Sequence, residues 1–240
     1  MKLIVCENYE EMSKEGAKII AEQLKNKPNS ILGLATGSTP VGMYEELRRM
    51  NAEKEISFAE VTSYNLDEYY PLAPDHDQSY RYFMNTNLFD HVDIDKSKTF
   101  VPNGLAENPA EEGKKYDEAI ANAGGIDLQV LGIGQNGHIG FNEPEDELYV
   151  STHLTGLTDN TIEANARFFA SKADVPTQAI TMGLGSIMKA KKILLLASGK
   201  AKHDVVTKML DDRITTSVPS TLLKTHADLI LICDKACLNG

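Results

Sequence analysis

Short apolar runs separated by amphipathic stretches constrain the fold of this chain more than any other feature. The runs fall at 2–6, 31–35, 61–65, 128–133, 179–182, 192–197 and 229–233. They are rich in Ile, Leu and Val and barely alternate with polar residues, the pattern of strands buried on both faces of a parallel sheet. Helical periodicity fills the gaps at 9–24, 40–50, 79–88, 109–122, 160–169, 186–190 and 201–210. Strand-then-helix alternation predicts an α/β chain: one domain, residues 1–240, with a doubly wound, mostly parallel sheet and helices on both faces.

The formal net charge of -11 sets the chain against nucleic acid, whose phosphates it would repel. A small anion can still bind such a protein if cations and backbone N–H groups are gathered in one place. No apolar run reaches the length of a membrane span, and the start of the chain lacks the long apolar core of a secretion signal. The cysteines, Cys6, Cys233 and Cys237, are odd in number and fit no zinc spacing. Buried reduced thiols in a cytoplasmic protein are the expectation.

Open α/β sheets bind ligands beyond the C-terminal ends of their strands, and four such ends carry chemistry. After the run at 31–35 come Thr36, Gly37, Ser38, Thr39 and Pro40. Gly37 lets a ligand approach the backbone, Thr39 is a predicted N-cap, and Pro40 suits a first helical position. Free N–H groups and hydroxyls at a helix start make an anion site. After 61–65 stand Asp67 and Glu68. Neighbours on extended backbone point to opposite sides, so one carboxylate faces the crevice, able to act as a general base, and the other is structural.

After 128–133 comes GIGQNGHIGFNEP at 132–144. It contains a G-x-G-x-x-G, but Gly140 and Pro144 spoil the helix that a dinucleotide fingerprint requires. The alternative is a loop presenting His138, Asn142 and Glu143 to a pocket, with His138 as the proton-transfer group. After 192–197, Ser198, Gly199 and Lys200 repeat the anion-site pattern with a cation added. The 71–78 and 144–157 stretches read as irregular.

TGSTP at 36–40, NLDEYY at 65–70, GIGQNGHIGFNEP at 132–144, NARFF at 165–169 and SGKAK at 198–202 together resemble the glucosamine-6-phosphate deaminase family almost end to end. That resemblance implies a Rossmann-like fold and the reversible conversion of D-glucosamine 6-phosphate and water to D-fructose 6-phosphate and ammonia, without metal or other cofactor. It assigns ring opening to His138, positioned by Asn136 and Glu143, and C2-to-C1 proton transfer to Asp67. It puts the phosphate on Gly37, Ser38, Thr39, Lys200 and Arg167, under a candidate lid at about 145–176.

Two departures stand out. Asn136 replaces an aspartate that many relatives carry, and an amide cannot stabilise an imidazolium by charge. Acidic Glu145, Asp146 and Glu147 occupy the stretch where regulated relatives bind an effector phosphate. An enzyme without that control, a monomer or small homo-oligomer with hyperbolic kinetics, is expected. The rival enzyme, 6-phosphogluconolactonase, shares the fold and a Gly-His loop but needs no C2 base. The non-enzymatic rival is a sugar-phosphate-sensing module of a transcriptional regulator, which would need a DNA-binding segment.

Overall fold

A computed structural model describes residues 1–166, 169, 171 and 174–239. In chain order the elements are β1 (Lys2–Cys6), α1 (Tyr9–Asn26), β2 (Ile31–Leu34), α2 (Val41–Ala52), β3 (Thr62–Asn65), β4 (Asp67–Tyr70), α3 (Tyr80–Asn87), β5 (Thr99–Phe100), α4 (Pro109–Asn122), β6 (Leu128–Gly132), β7 (His153–Gly156), α5 (Asp159–Asn165), β8 (Gln178–Thr181), α6 (Leu184–Met188), β9 (Ile193–Ala197), α7 (His203–Leu210), β10 (Leu229–Asp234) and α8 (Lys235–Asn239). Several helices start where a side chain satisfies the orphan N–H groups of the first turn. Asn8 accepts from Glu11 N at α1, Ser79 from Tyr82 N at α3, and Asn108 from Ala110 N and Glu111 N at α4. α2 differs: Pro40 is its N-cap and no side chain of the segment caps it, so the predicted Thr39 cap is not formed.

Seven strands form the main sheet in the order β1-β10-β9-β6-β2-β3-β5, every pairing parallel, with helices on both sides. β9 and β10 are buried along their whole length, which is why their sequences show no alternation. From β2 the chain builds outward through β3 to β5, then returns to place β6 on the other flank of β2 and continues through β9 to β10. The direction of winding therefore reverses between β2 and β6, and the crevice above their C-terminal ends is the expected ligand position of such a sheet.

The apolar run at 179–182 does not join this sheet. It becomes β8, the centre of a second, antiparallel sheet of order β4-β8-β7. Ala179 packs in a separate cluster with Tyr69, Phe141 and Leu157, while Met182 reaches the main core, and an apolar run does not say which sheet it joins. β7 lies inside the stretch read as irregular, and β4 begins with two acidic residues. This small sheet matters for the site because β4 opens with Asp67, paired in register with Thr181.

Candidate active site

One cleft lies at the reversal point, and the two central residues of the sequence reading, Asp67 and His138, both line it. Gly37, Ser38 and Thr39 form its end above β2. Gly37 takes φ +87°, a left-handed conformation that glycine adopts without strain. Among the described residues, no protein group bonds the hydroxyl of Ser38 or Thr39, so both are free for a ligand.

His138 is held by its loop. Asn136 Oδ1 accepts from His138 N at 3.2 Å and lies 2.8 Å from His138 Nδ1, while Asn136 Nδ2 donates to Glu143 Oε2 at 2.7 Å. With the amide nitrogen committed to the carboxylate, its oxygen faces Nδ1. In the neutral ring Nδ1 therefore carries the proton and Nε2 the lone pair; in the protonated ring both nitrogens carry a proton and the charge lies beside Glu143. An aspartate at 136 could accept from the imidazole but could donate to Glu143 only by holding a proton itself. Gly134 makes room for the ring: a Cβ there would lie 2.3 Å from His138 Cε1 and Nδ1.

Glu143 does not line the cleft. It is buried behind His138, with Oε2 3.4 Å from Nδ1 and Oε1 accepting from Thr161 Oγ1 at 2.5 Å and Thr158 Oγ1 at 3.4 Å. Burial alone would raise its pKa. Bonds and charge from His138, then bonds from Thr161 and Asn136, outweigh that and hold it down at about 2. Asn142, expected to face the pocket, is instead a pin: its Nδ2 donates to the carbonyls of Ile139 and Met182, each at 2.8 Å.

The two neighbouring carboxylates of β4 divide as strand alternation predicts. Asp67 faces the cleft, and no described residue donates a hydrogen bond to it. Burial, then the charge of Glu68, pushes its pKa up to about 8. Glu68 points the other way and closes the start of α3, accepting from Tyr69 N and Tyr80 N at 2.9 Å and Arg81 N at 3.0 Å.

The fourth strand end corrects the sequence reading. Ser198 Oγ and Gly199 N both donate to Asp234, at 2.5 Å and at 3.0 and 3.1 Å to its two oxygens. These donors are spent inside the protein and are not available to an anion. Lys200 is exposed and outside the cleft; Lys202 lines it, with Nζ donating to Ile133 O at 2.6 Å. The segment Lys200–Lys202 is a 3-10 turn, in which residues two apart point in different directions. Burial lowers the pKa of Lys202. Arg167, the other expected cation, lies outside the described residues. Sequence reasoning also missed Thr161 and Tyr80 on the cleft wall; the spacing Thr158 to Thr161 at a helix start was the available signal for the first.

Fold and site together define a class: α/β proteins with an anion-receptive loop at the reversal point, facing side chains able to exchange protons. The chain belongs to the family described as glucosamine-6-phosphate isomerases/6-phosphogluconolactonase, whose model matches residues 7–231. It is 64% identical over 235 residues to a glucosamine-6-phosphate deaminase of Clostridium perfringens, covering 98% of this chain and 97% of the relative. It is 57% identical to the deaminase of Thermoanaerobacter pseudethanolicus, covering 98% and 93%. A solved structure described as a monomeric glucosamine-6-phosphate deaminase superposes with TM-score 0.96 at 43% identity, covering 99% of this chain and 98% of that one. The 6-phosphogluconolactonase of Leishmania guyanensis, at 21% identity and TM-score 0.75 over 100% and 98% of the two chains, shares the fold.

Proposed function

We infer that this chain converts D-glucosamine 6-phosphate and water to D-fructose 6-phosphate and ammonia. The observation that carries the mechanism is the meeting of Asp67, His138 and the loop at 37–39 on one cleft. The phosphate sits on the N–H groups and hydroxyls of Gly37, Ser38 and Thr39, with the Lys202 ammonium beside it and Arg167 added from the lid at about 145–176. His138 Nε2 takes the proton of the anomeric hydroxyl and delivers it to the ring oxygen, opening the pyranose. Asn136 and Glu143 keep the proton on Nδ1 throughout.

Asp67 then removes the C2 proton, which the neighbouring aldehyde and amino group make acidic, and returns it to C1. The resulting C2 imine takes up water and releases ammonia. Burial, then the charge of Glu68, keeps the proton on Asp67 up to about pH 8. A substrate ammonium at C2 favours the anion by charge, so the group that needs the base also helps to ionise it. A carboxylate that is costly to ionise is correspondingly a stronger base once ionised.

A coupled assay of glucosamine 6-phosphate consumption tests the reading. Fructose 6-phosphate and ammonium should appear in equal amounts; release of neither would sink it. We propose that the chain works in the cytoplasm as a monomer or small homo-oligomer. No helix among the described residues is long and apolar enough to cross a membrane, and the 43%-identical neighbour is described as monomeric. Sedimentation at micromolar concentration measures the state directly.

A further inference from the structure

The loop assigned to the phosphate belongs to a helix that cannot cap itself. Pro40 at the N-cap of α2 offers no side-chain acceptor, and the Gly42 N–H in the first turn would be left unpaired. The acceptor comes from a different helix. Tyr9, at the start of α1, takes the Gly42 N–H on its hydroxyl oxygen at 2.8 Å and donates its own proton to Ser38 O at 3.1 Å. One hydroxyl thereby ties the two ends of the loop at 38–42 together.

The surroundings fit this contact. A Cβ on Gly42 would lie 3.0 Å from Tyr9 Cε1 and 2.6 Å from Ser13 Oγ, so glycine lets the ring lie against the helix. The root of the loop is pinned separately, by Tyr44 donating to Ala35 O at 2.6 Å. Among the described residues no other side chain bonds the backbone between 36 and 42. At α1, α3, α4 and α5 the capping is done by a local side chain, Asn8, Ser79, Asn108 and Thr158, whereas α6 and α7, like α2, have no side-chain cap of their own. Had Thr39 done that work, its hydroxyl would be turned to its own helix.

We propose that Tyr9 is the positioning residue of the anion loop, capping α2 from outside so that the Ser38 and Thr39 hydroxyls stay available to the substrate's phosphate. This rests on the phosphate assignment made above. It predicts an effect on binding and not on proton transfer, because Tyr9 bonds the loop and the first turn of α2 and does not line the cleft of Asp67 and His138.

Tyr9→Phe keeps the ring on Gly42 and removes both bonds. Two ordinary hydrogen bonds correspond to roughly a tenfold change in an equilibrium. KM for glucosamine 6-phosphate should rise by about that factor while kcat falls less than twofold, and the Kd of inorganic phosphate, measured by calorimetry, should rise in parallel. A lowered Tm with KM and phosphate Kd unchanged would make Tyr9 merely structural and overturn the proposal. If the unaltered protein turned over no glucosamine 6-phosphate, the functional reading would fall, and the phosphate Kd of the two proteins would still decide the role of Tyr9.

Discussion

Asp67 and Glu143 are buried alike, 5% and 4% exposed, yet they stand at opposite ends of the carboxylate range, about 8 and about 2. Exposure alone therefore does not set their chemistry. Both pay the desolvation that burial imposes, but Glu143 receives donors from His138, Thr161 and Asn136 on its two oxygens. Asp67 receives none from the described residues and has Glu68 beside it. The loop after β6 is built to keep a charge, and the start of β4 to hold a proton until a substrate's charge favours its loss. One carboxylate fixes an imidazole, and the other is free to react.

The largest expected effect follows from that freedom. Asp67→Asn should lower kcat by roughly 10²–10⁴ with the fold intact. Near-normal turnover would remove Asp67 as the base and leave its isolation without a functional account.

The next effect concerns stability, where the two residues should differ in sign. Asp67 has a folded pKa near 8, raised above its unfolded value of about 4. Its contribution is favourable below pH ~4 and is lost as pH rises through the folded value. Asp67→Asn should therefore melt higher than the unaltered protein at pH 8, by the equivalent of on the order of a few kcal/mol, and the gain should shrink towards pH 4. Glu143, depressed to about 2, stabilises above its unfolded pKa and loses that contribution as pH falls through the folded one. Glu143→Gln should cost on the order of 2–3 kcal/mol at pH 7, with the deficit fading in acid. Denaturant titrations of both variants at several pH values measure this. Shifts of the same sign would show that burial, not donors, separates the pair.

Much of this contrast is legible in the sequence. The alternation rule at Asp67 and Glu68 gives one cleft-facing carboxylate of the two, because strand geometry is local, but not which of them it is or that the other caps α3. The glycine-rich loop marks His138 because positive-φ backbone and close packing leave a sequence trace. Lys200 and Lys202 could not be told apart, since the answer lies in the pitch of one 3-10 turn and in Asp234, distant in sequence, which takes the donors of Ser198 and Gly199. β8 was read as part of the main sheet because apolarity reports burial and not partner. Tyr9 escaped notice because it acts across a contact between elements that nothing in its neighbouring residues announces, and Thr161 because the Thr158–Thr161 spacing marks a helix start but not the distant Glu143 it serves.

The smallest effect isolates the second cause of the Asp67 shift. Burial is the first and stays in place in any conservative variant; the charge of Glu68 can be removed. Glu68 itself is raised to about 7, mainly by burial and against the three backbone bonds it accepts. In Glu68→Gln the amide oxygen can keep the bonds from Tyr69 and Tyr80, while the amide nitrogen faces the Arg81 N–H, so α3 should loosen slightly at its start. With a neutral neighbour, Asp67 gives up its proton more readily. The acidic limb of kcat/KM should then move to lower pH, while remaining above the range of an ordinary carboxylate because burial persists. At pH well above 8, where Asp67 is ionised in either protein, the two rates should converge. A limb that stays put, or moves up, would mean that the group controlling it is not Asp67, and the contrast between the two carboxylates would lose its link to turnover.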